Sequence, residues 1–374
     1  MGTPGECEGR TLTTSSKAAR PRRKPVAYNN SRVKLFTRCE MAYSFRYDYP
    51  KEELGKRGEL QPNRLPEGLK RGGWMHTLMQ AHWLEVAGIG NGWQEKHEEL
   101  SDEFSELFEE EQEYYGDLPD QCGSLMRRYL RYYKDDDEKF HTARLPKGEP
   151  AVEFVIQVPL KQFGLKGIFK GQVDILVRDL EYGGYWIRDA KWMKSLPSAD
   201  ERMMSPQNIM YAWALRSLGW DIRGFIYDYG RTKPPAIPYI LQNGTVTMRK
   251  NIDTDTLTYL RAIKKAHGKQ WKKFAKTVYR PKLKELKARE TLWFDRQRIP
   301  LDGPRMDNGL KEYIIAVGRI QNRVEPIRNY IYNCKFSCSF HEACVASFQG
   351  LDITNLMKKS FHVEPERYTV EEVN

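Results

Sequence analysis

Three consecutive stretches in the middle of the chain alternate between apolar and polar residues. They are AVEFVIQVPL (151–160), GIFKGQVDILVRD (167–179) and YWIRDAKW (185–192), and the first two are rich in valine and isoleucine. A repeat of two residues is typical of strands with one buried face. Because the connections are short, and the second carries a turn at Gly183 and Gly184, the pattern predicts a meander of antiparallel strands.

A helix and a further strand follow the meander. The segment SPQNIMYAWALRSLG (205–219) has Ser205 at the N-cap, Pro206 in its first turn, an apolar stripe, and Gly219 at its C-terminal cap. Together these features predict a helix. IRGFIYDYG (222–230) again has the composition of a strand. The chain is therefore expected to be an α/β protein.

Helical spacing dominates the sequence on both sides of this centre. A helix is predicted from Ser31, as its cap, through the segment SRVKLFTRCEMAYSFRYDY, and another over GGWMHTLMQAHWLEVAG, ended by Gly88. A last long helix is predicted over 308–333. We expect a disordered basic arm at 1–25, a core domain at 26–350 with helical insertions at 94–141 and 251–300, and a tail at 351–374.

The charge balance bears on the partner. The chain of 374 residues has 61 Lys and Arg against 50 Asp and Glu, a net charge of +11. This excess favours a polyanionic partner, with nucleic acid the first candidate, although a merely soluble basic surface would look the same. No stretch approaches the roughly 20 apolar residues of a membrane span, and the first residues have no apolar signal segment. We therefore expect a soluble, cytoplasmic protein that does not bind membranes.

Two carboxylates and an amine fall near the ends of neighbouring predicted strands. Asp174 closes GQVD, and Asp189 and Lys191 end the next strand. Since side-chain direction alternates, Asp189 and Lys191 point the same way and Ala190 points away, which leaves its backbone carbonyl free. Such carboxylates can share Mg²⁺ or Mn²⁺, and the lysine can hold a water or stabilise charge on a phosphate. A simple salt bridge at a strand end is the alternative.

Residues outside the strands complete a recognisable order. Gln207 and Tyr211 lie at i and i+4 on one face of the helix after the meander. His76 stands upstream in GGWMHTLMQ. The order of His, G-x-V-D, D-x-K and Q-x-x-x-Y resembles the PD-(D/E)XK nuclease superfamily, and its RecB-like branch most. The resemblance covers residues 30 to 350.

This resemblance implies a restriction-endonuclease-like mixed central sheet flanked by helices. It also implies roles: metal binding by His76, Asp174, Asp189 and the Ala190 carbonyl, and work on the attacking water by Lys191. Gln207 and Tyr211 would support the site. Two departures are Val173, where the motif name has Pro, and Asp rather than Glu at 189. Glu153, on the preceding strand, is interpreted as an ordinary strand residue.

Cysteines cluster near the end of the chain. NCKFSCSFHEAC places Cys334, Cys338 and Cys344 in C-x3-C-x5-C spacing, which points to a metal site that needs a fourth ligand. His341 would complete a structural zinc site, and Cys39 would complete a site that joins distant segments. The segment around Cys39 resembles that of RecB-like nucleases with a [4Fe-4S] cluster, the AddB subunits and CRISPR-adaptation exonucleases. In those proteins one cysteine precedes the nuclease core and three follow it, here Cys39 and the trio.

The resemblance implies a Mg²⁺- or Mn²⁺-dependent deoxyribonuclease, an exonuclease acting on DNA ends in recombination, repair, phage or CRISPR-adaptation processing. It also suggests a recombination or CRISPR-adaptation protein as a partner, besides the DNA. The rival hypothesis is a nucleic-acid-binding or recombination-accessory protein that does not cleave. Aromatic residues among the basic helices, Trp271, Tyr279, Trp293 and Phe294, would either stack bases in a groove or belong to the core.

Overall fold

The three alternating stretches form adjacent strands of one sheet. The structure is a computed structural model that describes residues 26–49, 58–136, 138–289, 293–301, 303–331 and 333–364. The expected basic arm at 1–25 and the tail after residue 364 lie outside the described residues. The strands are β1 (Ala27–Tyr28), β2 (Glu59–Pro62), β3 (Phe140–Thr142), β4 (Val152–Pro159), β5 (Ile168–Asp179), β6 (Tyr185–Met193), β7 (Ile222–Arg231), β8 (Phe294–Pro300) and β9 (Phe361–Glu364).

Within the described residues, seven of these strands make a central mixed sheet. The order is β1-β5-β6-β7-β8, with β3 and β4 also paired to β5. β4, β5 and β6 pair antiparallel in succession, so the predicted meander is confirmed. β7 then lies parallel to β6, and β8 antiparallel to β7. Because β6 and β7 are parallel, the helix between them must carry the chain back along one face of the sheet.

Helices cover both faces of this sheet. They are α1 (Asn30–Arg38), α2 (Glu40–Tyr47), α3 (Glu67–Val86), α4 (Trp93–Ser105), α5 (Glu109–Tyr115), α6 (Leu118–Tyr132), α7 (Ala199–Met203), α8 (Pro206–Ser217), α9 (Thr256–His267), α10 (Trp271–Lys276), α11 (Arg280–Ala288), α12 (Gly303–Asn322), α13 (Cys334–Ser337), α14 (His341–Phe348) and α15 (Thr354–Ser360). α1, α8 and α12 pack on one face. α3, α4 and α6 pack on the other. The expected mixed α/β fold is thus confirmed.

The alternation of β4 and β5 reverses at one point. Val152 packs in the cluster with α3, whereas Phe154 packs in the cluster with α8. On β5, Ile175 belongs to the α3 cluster and Val173 to the α8 cluster. Residues two apart on a regular strand share a face, so both strands change face between these positions. Glu153 lies at the change and has a left-handed backbone, with φ of 49°, a conformation that is strained for a residue with a side chain.

The N-terminal helix is broken rather than continuous. α1 is capped by Asn29, whose side chain accepts from the Arg32 N–H at 2.7 Å, so the prediction of Ser31 as the cap was wrong. Cys39 is extended, with φ of −164° and ψ of 115°, and separates α1 from α2. An extended residue cannot continue the helical hydrogen-bond ladder. The thiol therefore sits in a bend instead of on a helix face.

Three further expectations near the C-terminal side were wrong in detail. α12 ends at Asn322 instead of 333, because Pro326 lacks an N–H and cannot continue a helix. Residues 294–300, expected to be helical, form β8, which satisfies the backbone groups of β7. In the predicted tail, β9 pairs antiparallel with β2. No helix among the described residues is long and apolar enough to span a bilayer.

The aromatic residues of the 251–300 region are mostly interior. Tyr279, Trp293 and Phe294 are each at most 3% exposed. Tyr279 belongs to a small cluster with Tyr259, while Trp293 and Phe294 belong to the α3 side of the main core. The alternative that these side chains are core is confirmed for these three, and the base-stacking groove built on them was wrong.

Candidate active site

The three polar residues at the ends of β5 and β6 lie together. Lys191 Nζ is 2.9 Å from Asp189 Oδ1 and 2.7 Å from Asp189 Oδ2. Asp174 Oδ2 accepts a hydrogen bond from the Ala190 N–H at 3.2 Å. Burial disfavours the charged ammonium, but the negative charges of Asp189 and Asp174 outweigh this effect and raise the pKa of Lys191. The amine is therefore a fixed positive charge near neutral pH.

His76 reaches the same place from α3, on the face opposite α8. Its Nδ1 lies 3.3 Å from Asp174 Oδ2. Burial and the positive charge of Lys191 lower the pKa of His76, although Asp189 opposes them. A neutral imidazole is the form that binds metal ions. The predicted convergence of His76 and Asp174 is thus present in the fold.

Glu153 is the residue that sequence reasoning missed. Among the described residues, His76, Glu153 and Asp174 each offer one ligand atom, and these atoms all lie within 4.8 Å of one another. The Glu153 Oε2 accepts from Gln172 Nε2 at 2.8 Å. The pairing of Phe154 with Val173 places Glu153 across from Asp174, a register that the sequence does not fix.

The carboxylates of this trio are poorly compensated by protein groups. Burial, despite the hydrogen bond from Gln172, raises the pKa of Glu153 to about 7. Burial and the charge of Asp189 raise the pKa of Asp174 well above its ordinary value. Buried carboxylates that have only neutral hydrogen-bond donors are costly, and a divalent cation bound by oxygen and imidazole ligands would relieve that cost. The donor set therefore fits a metal ion.

Asp189 lies beside Lys191 and Gln207, next to the trio of candidate ligands. It is 1% exposed, and it is not a member of that trio. Gln207 Nε2 donates to Asp189 Oδ1 at 3.1 Å, beside the contacts from Lys191. In this arrangement Asp189 orients Lys191. Coordination of a metal by Asp189 or by the Ala190 carbonyl stays a prediction, since the observed contact of Ala190 is through its N–H.

The helix α8 brings Gln207 and Tyr211 to the strands, as their spacing predicted. Tyr211 packs closely over Gly171 on β5. A Cβ built at Gly171 would lie 2.6 Å from Tyr211 Cε1, closer than real contacts allow. Burial and the charge of Asp189 raise the pKa of Tyr211, so the phenol stays protonated. Glycine in GQVD is therefore explained by the approach of this ring.

The four predicted cluster cysteines line a single pocket. Cys39, Cys334, Cys338 and Cys344 surround it together with His341. The Asn329 N–H donates to Cys39 Sγ at 3.5 Å, and the Ile331 N–H donates to Cys334 Sγ at 3.3 Å. Burial raises the pKa of the Cys338 thiol, although a backbone hydrogen bond from Phe340 and the charge of Arg38 oppose it. The bend at Cys39 is what turns its thiol towards the C-terminal trio.

Comparison with known proteins identifies the family of the chain. A sequence model of the PD-(D/E)XK nuclease superfamily matches residues 28–344. No curated protein matches the chain. Among solved structures, a candidate exonuclease from Eubacterium rectale is 13% identical with a TM-score of 0.41, and the match covers 88% of this chain and 94% of that one. The protein SSO0001 is 14% identical with a TM-score of 0.26, over 72% of this chain and 84% of that one.

Proposed function

Because this chain belongs to the PD-(D/E)XK nuclease superfamily, we propose that it is a metal-dependent deoxyribonuclease that removes nucleotides from DNA ends. The observation that carries the proposal is the convergence of His76, Glu153 and Asp174 within 4.8 Å, beside a charged Lys191. Three strands and a helix from separate parts of the chain supply these four groups. A salt bridge alone would not require the histidine or the second carboxylate.

In this proposal the trio holds Mg²⁺ or Mn²⁺. A bound divalent cation supplies Lewis-acid stabilisation of phosphate charge and makes bound water more acidic. His76 would contribute a neutral nitrogen to the ion, and Glu153 and Asp174 would contribute oxygens.

The other side chains act on the water and on the charge. Lys191, kept protonated by Asp189, donates hydrogen bonds to a water positioned for in-line attack or to the phosphate oxygens as their charge grows. Asp189 holds the amine at 2.7 Å, and Gln207 in turn donates to Asp189 at 3.1 Å. Tyr211 packs on β5 and supports the strand that carries Asp174.

The same proposal includes a [4Fe-4S] cluster held by Cys39, Cys334, Cys338 and Cys344. The support for this part of the proposal is that Cys39 lines the same pocket as the three C-terminal cysteines. Such a clip joins residues far apart in sequence and lowers the entropy of the unfolded chain.

The nuclease proposal is tested with end-labelled single- and double-stranded DNA, with Mg²⁺ or Mn²⁺ and with EDTA. Lys191→Ala should lower the cleavage rate by at least about 100-fold, because it removes a charge aimed at the reacting phosphate. Lys194→Ala, at an exposed lysine three residues later, is the matched control and should cleave like wild type. Cleavage that survives EDTA, or undiminished cleavage by Lys191→Ala, contradicts the proposal. DNA binding without cleavage under any metal supports the accessory-protein rival.

The cluster is tested by purification without oxygen, followed by iron and sulfide analysis. Cys39→Ala should lose iron, whereas His341→Ala should retain it. Stoichiometric zinc, retained in Cys39→Ala and lost in His341→Ala, would instead establish the zinc site.

A further inference from the structure

One short segment contains the entire charge excess of the protein. Residues 256–289, named here the basic unit, hold nine Lys and three Arg but a single acidic residue, Glu285, so their net charge is +11. The whole chain, with 61 basic and 50 acidic residues, also has a net charge of +11. Everything outside the basic unit is therefore neutral in sum. Twelve cations on 34 residues repel one another, which is a cost that a merely soluble surface does not need.

Most cations of the basic unit are exposed and have no carboxylate partner. Ten of the twelve are exposed: Arg261, Lys264, Lys265, Lys269, Lys272, Lys273, Lys276, Arg280, Lys284 and Lys287. The other two, Lys282 and Arg289, pair with Glu285. In the part of the chain that the structure describes, no carboxylate forms an ion pair with any of the ten exposed cations. An array of this kind matches a polyanion.

The basic unit has its own small core, which holds α9, α10 and α11 together. Tyr259, Ile263, Tyr279 and Leu286 are its most buried members. The Tyr279 hydroxyl accepts from the Val246 N–H at 2.9 Å. Because Tyr259 and Tyr279 point inwards, they are not free to stack on bases. The ten exposed cations are then the main groups that this surface offers to a partner, and they match phosphate charge.

The basic unit belongs to an insertion that leaves the sheet at the strand ends where the candidate active site lies. It is inserted between β7 and β8, and β7 runs parallel to β6, with Lys191 aligned to Tyr229. The carboxyl ends of parallel neighbours meet at one edge of a sheet. The Arg231 guanidinium donates to both oxygens of Asp253, at 3.1 and 3.0 Å. This contact fixes Asp253, shortly before the basic unit, to the strand that borders the site.

We propose that the basic unit binds the sugar–phosphate backbone of DNA whose end occupies the candidate active site, an inference that rests on the proposed nuclease function. The surface then supplies affinity without base preference, and it keeps the DNA bound between successive cleavages. Binding by released counterions falls steeply with salt, by a slope of about 0.9 in log K against log salt for each duplex phosphate contacted.

The test measures binding of a fluorescent DNA duplex by anisotropy, in EDTA so that no cleavage occurs. The test variant changes Lys269, Lys272, Lys273 and Lys276 to Gln. If all four contact phosphates, the salt slope should fall by about 3.6. From about 50 to about 200 mM salt, wild type should lose about 150-fold more affinity than the variant. The control changes the exposed Lys147, Lys161, Lys358 and Lys359 to Gln, an equal loss of charge elsewhere.

Each outcome bears on one proposal or the other. The inference is supported if the salt dependence of DNA affinity is reduced in the test variant and unchanged in the control. It should also return to the wild-type value when the same four lysines are changed to Arg. Equal slopes in the test variant and the control overturn it, even if wild type cleaves DNA. If the test variant instead loses binding to vesicles that contain an anionic lipid, while its DNA binding equals that of wild type, the inference is overturned and a membrane surface is identified as the partner. If the slope is lost as expected but wild type never cleaves DNA, the nuclease proposal fails alone.

Discussion

Replacement of Asp228 by Asn should destabilise the fold strongly, because this carboxylate is the centre of a buried ion network. Asp228 on β7 is 1% exposed. It accepts from Arg188 Nε at 2.5 Å and from the Tyr129 hydroxyl at 2.8 Å, and also pairs with Arg296. Asp136 is the second carboxylate of the network. Asp228 is aligned with Ala190 on β6, so the network lies directly behind the candidate active site.

The size of the effect follows from the pKa. Burial alone would raise the pKa of Asp228, but Arg188 and Arg296 outweigh it and lower the pKa from 3.8 to about 2. This fall corresponds to about 2 kcal/mol of the free energy of unfolding. The folded-state pKa is depressed, so the contribution is complete above about pH 4 and is lost as the pH falls through about 2. Removal of the charge also leaves two buried cations to share Asp136, for a total loss of about 3–5 kcal/mol.

Urea unfolding of wild type and of Asp228→Asn, at pH 7 and pH 3, measures this effect. The difference in the free energy of unfolding between wild type and Asp228→Asn should be about 1 kcal/mol smaller at pH 3 than at pH 7. Asp221→Asn is the matched control, since Asp221 and Arg223 form a pair in which both side chains are about 60% exposed; it should change stability by less than about 0.5 kcal/mol. If Asp228→Asn behaves like this control, or if its deficit is independent of pH, the assigned role of the network is wrong.

Two further substitutions test the site itself. Glu153→Gln should weaken Mn²⁺ binding by at least about 10-fold in a calorimetric titration, with Glu149→Gln as an exposed control. Because the pKa of Glu153 is raised to about 7, Mn²⁺ binding by wild type should also weaken below that pH. Equal Mn²⁺ affinities of wild type and Glu153→Gln would exclude Glu153 as a ligand. Gly171→Ala should cost about 1–3 kcal/mol in urea unfolding, because the added Cβ meets the buried Tyr211 ring. Gly72→Ala, with open space around it on α3, should instead stabilise by about 0.5–1 kcal/mol, and the same sign for both would refute the packing argument.

The sequence predicted the structure correctly wherever apolar residues recur at the regular spacing of a strand or a helix. Alternation predicted β4, β5 and β6 as a meander, and helical spacing brought Gln207 and Tyr211 to one face. Glu153 escaped because strand alternation reverses there, and a regular period gives no sign of a reversal. The extended backbone of Cys39 was missed for a similar reason, since apolar spacing continues through it. Tertiary contacts determine both positions.

The alternation of β6 gives its two faces unrelated tasks. Arg188 enters the ion network on the α3 side, while Asp189 contacts Gln207 of α8 on the other side. A strand that paired one residue out of register would present the guanidinium to α8 and the aspartate to the network. Misfolded molecules of that kind would lose both the candidate active site and the stabilising ion network. Any chain that is stable enough to survive should therefore already have its reactive groups in place.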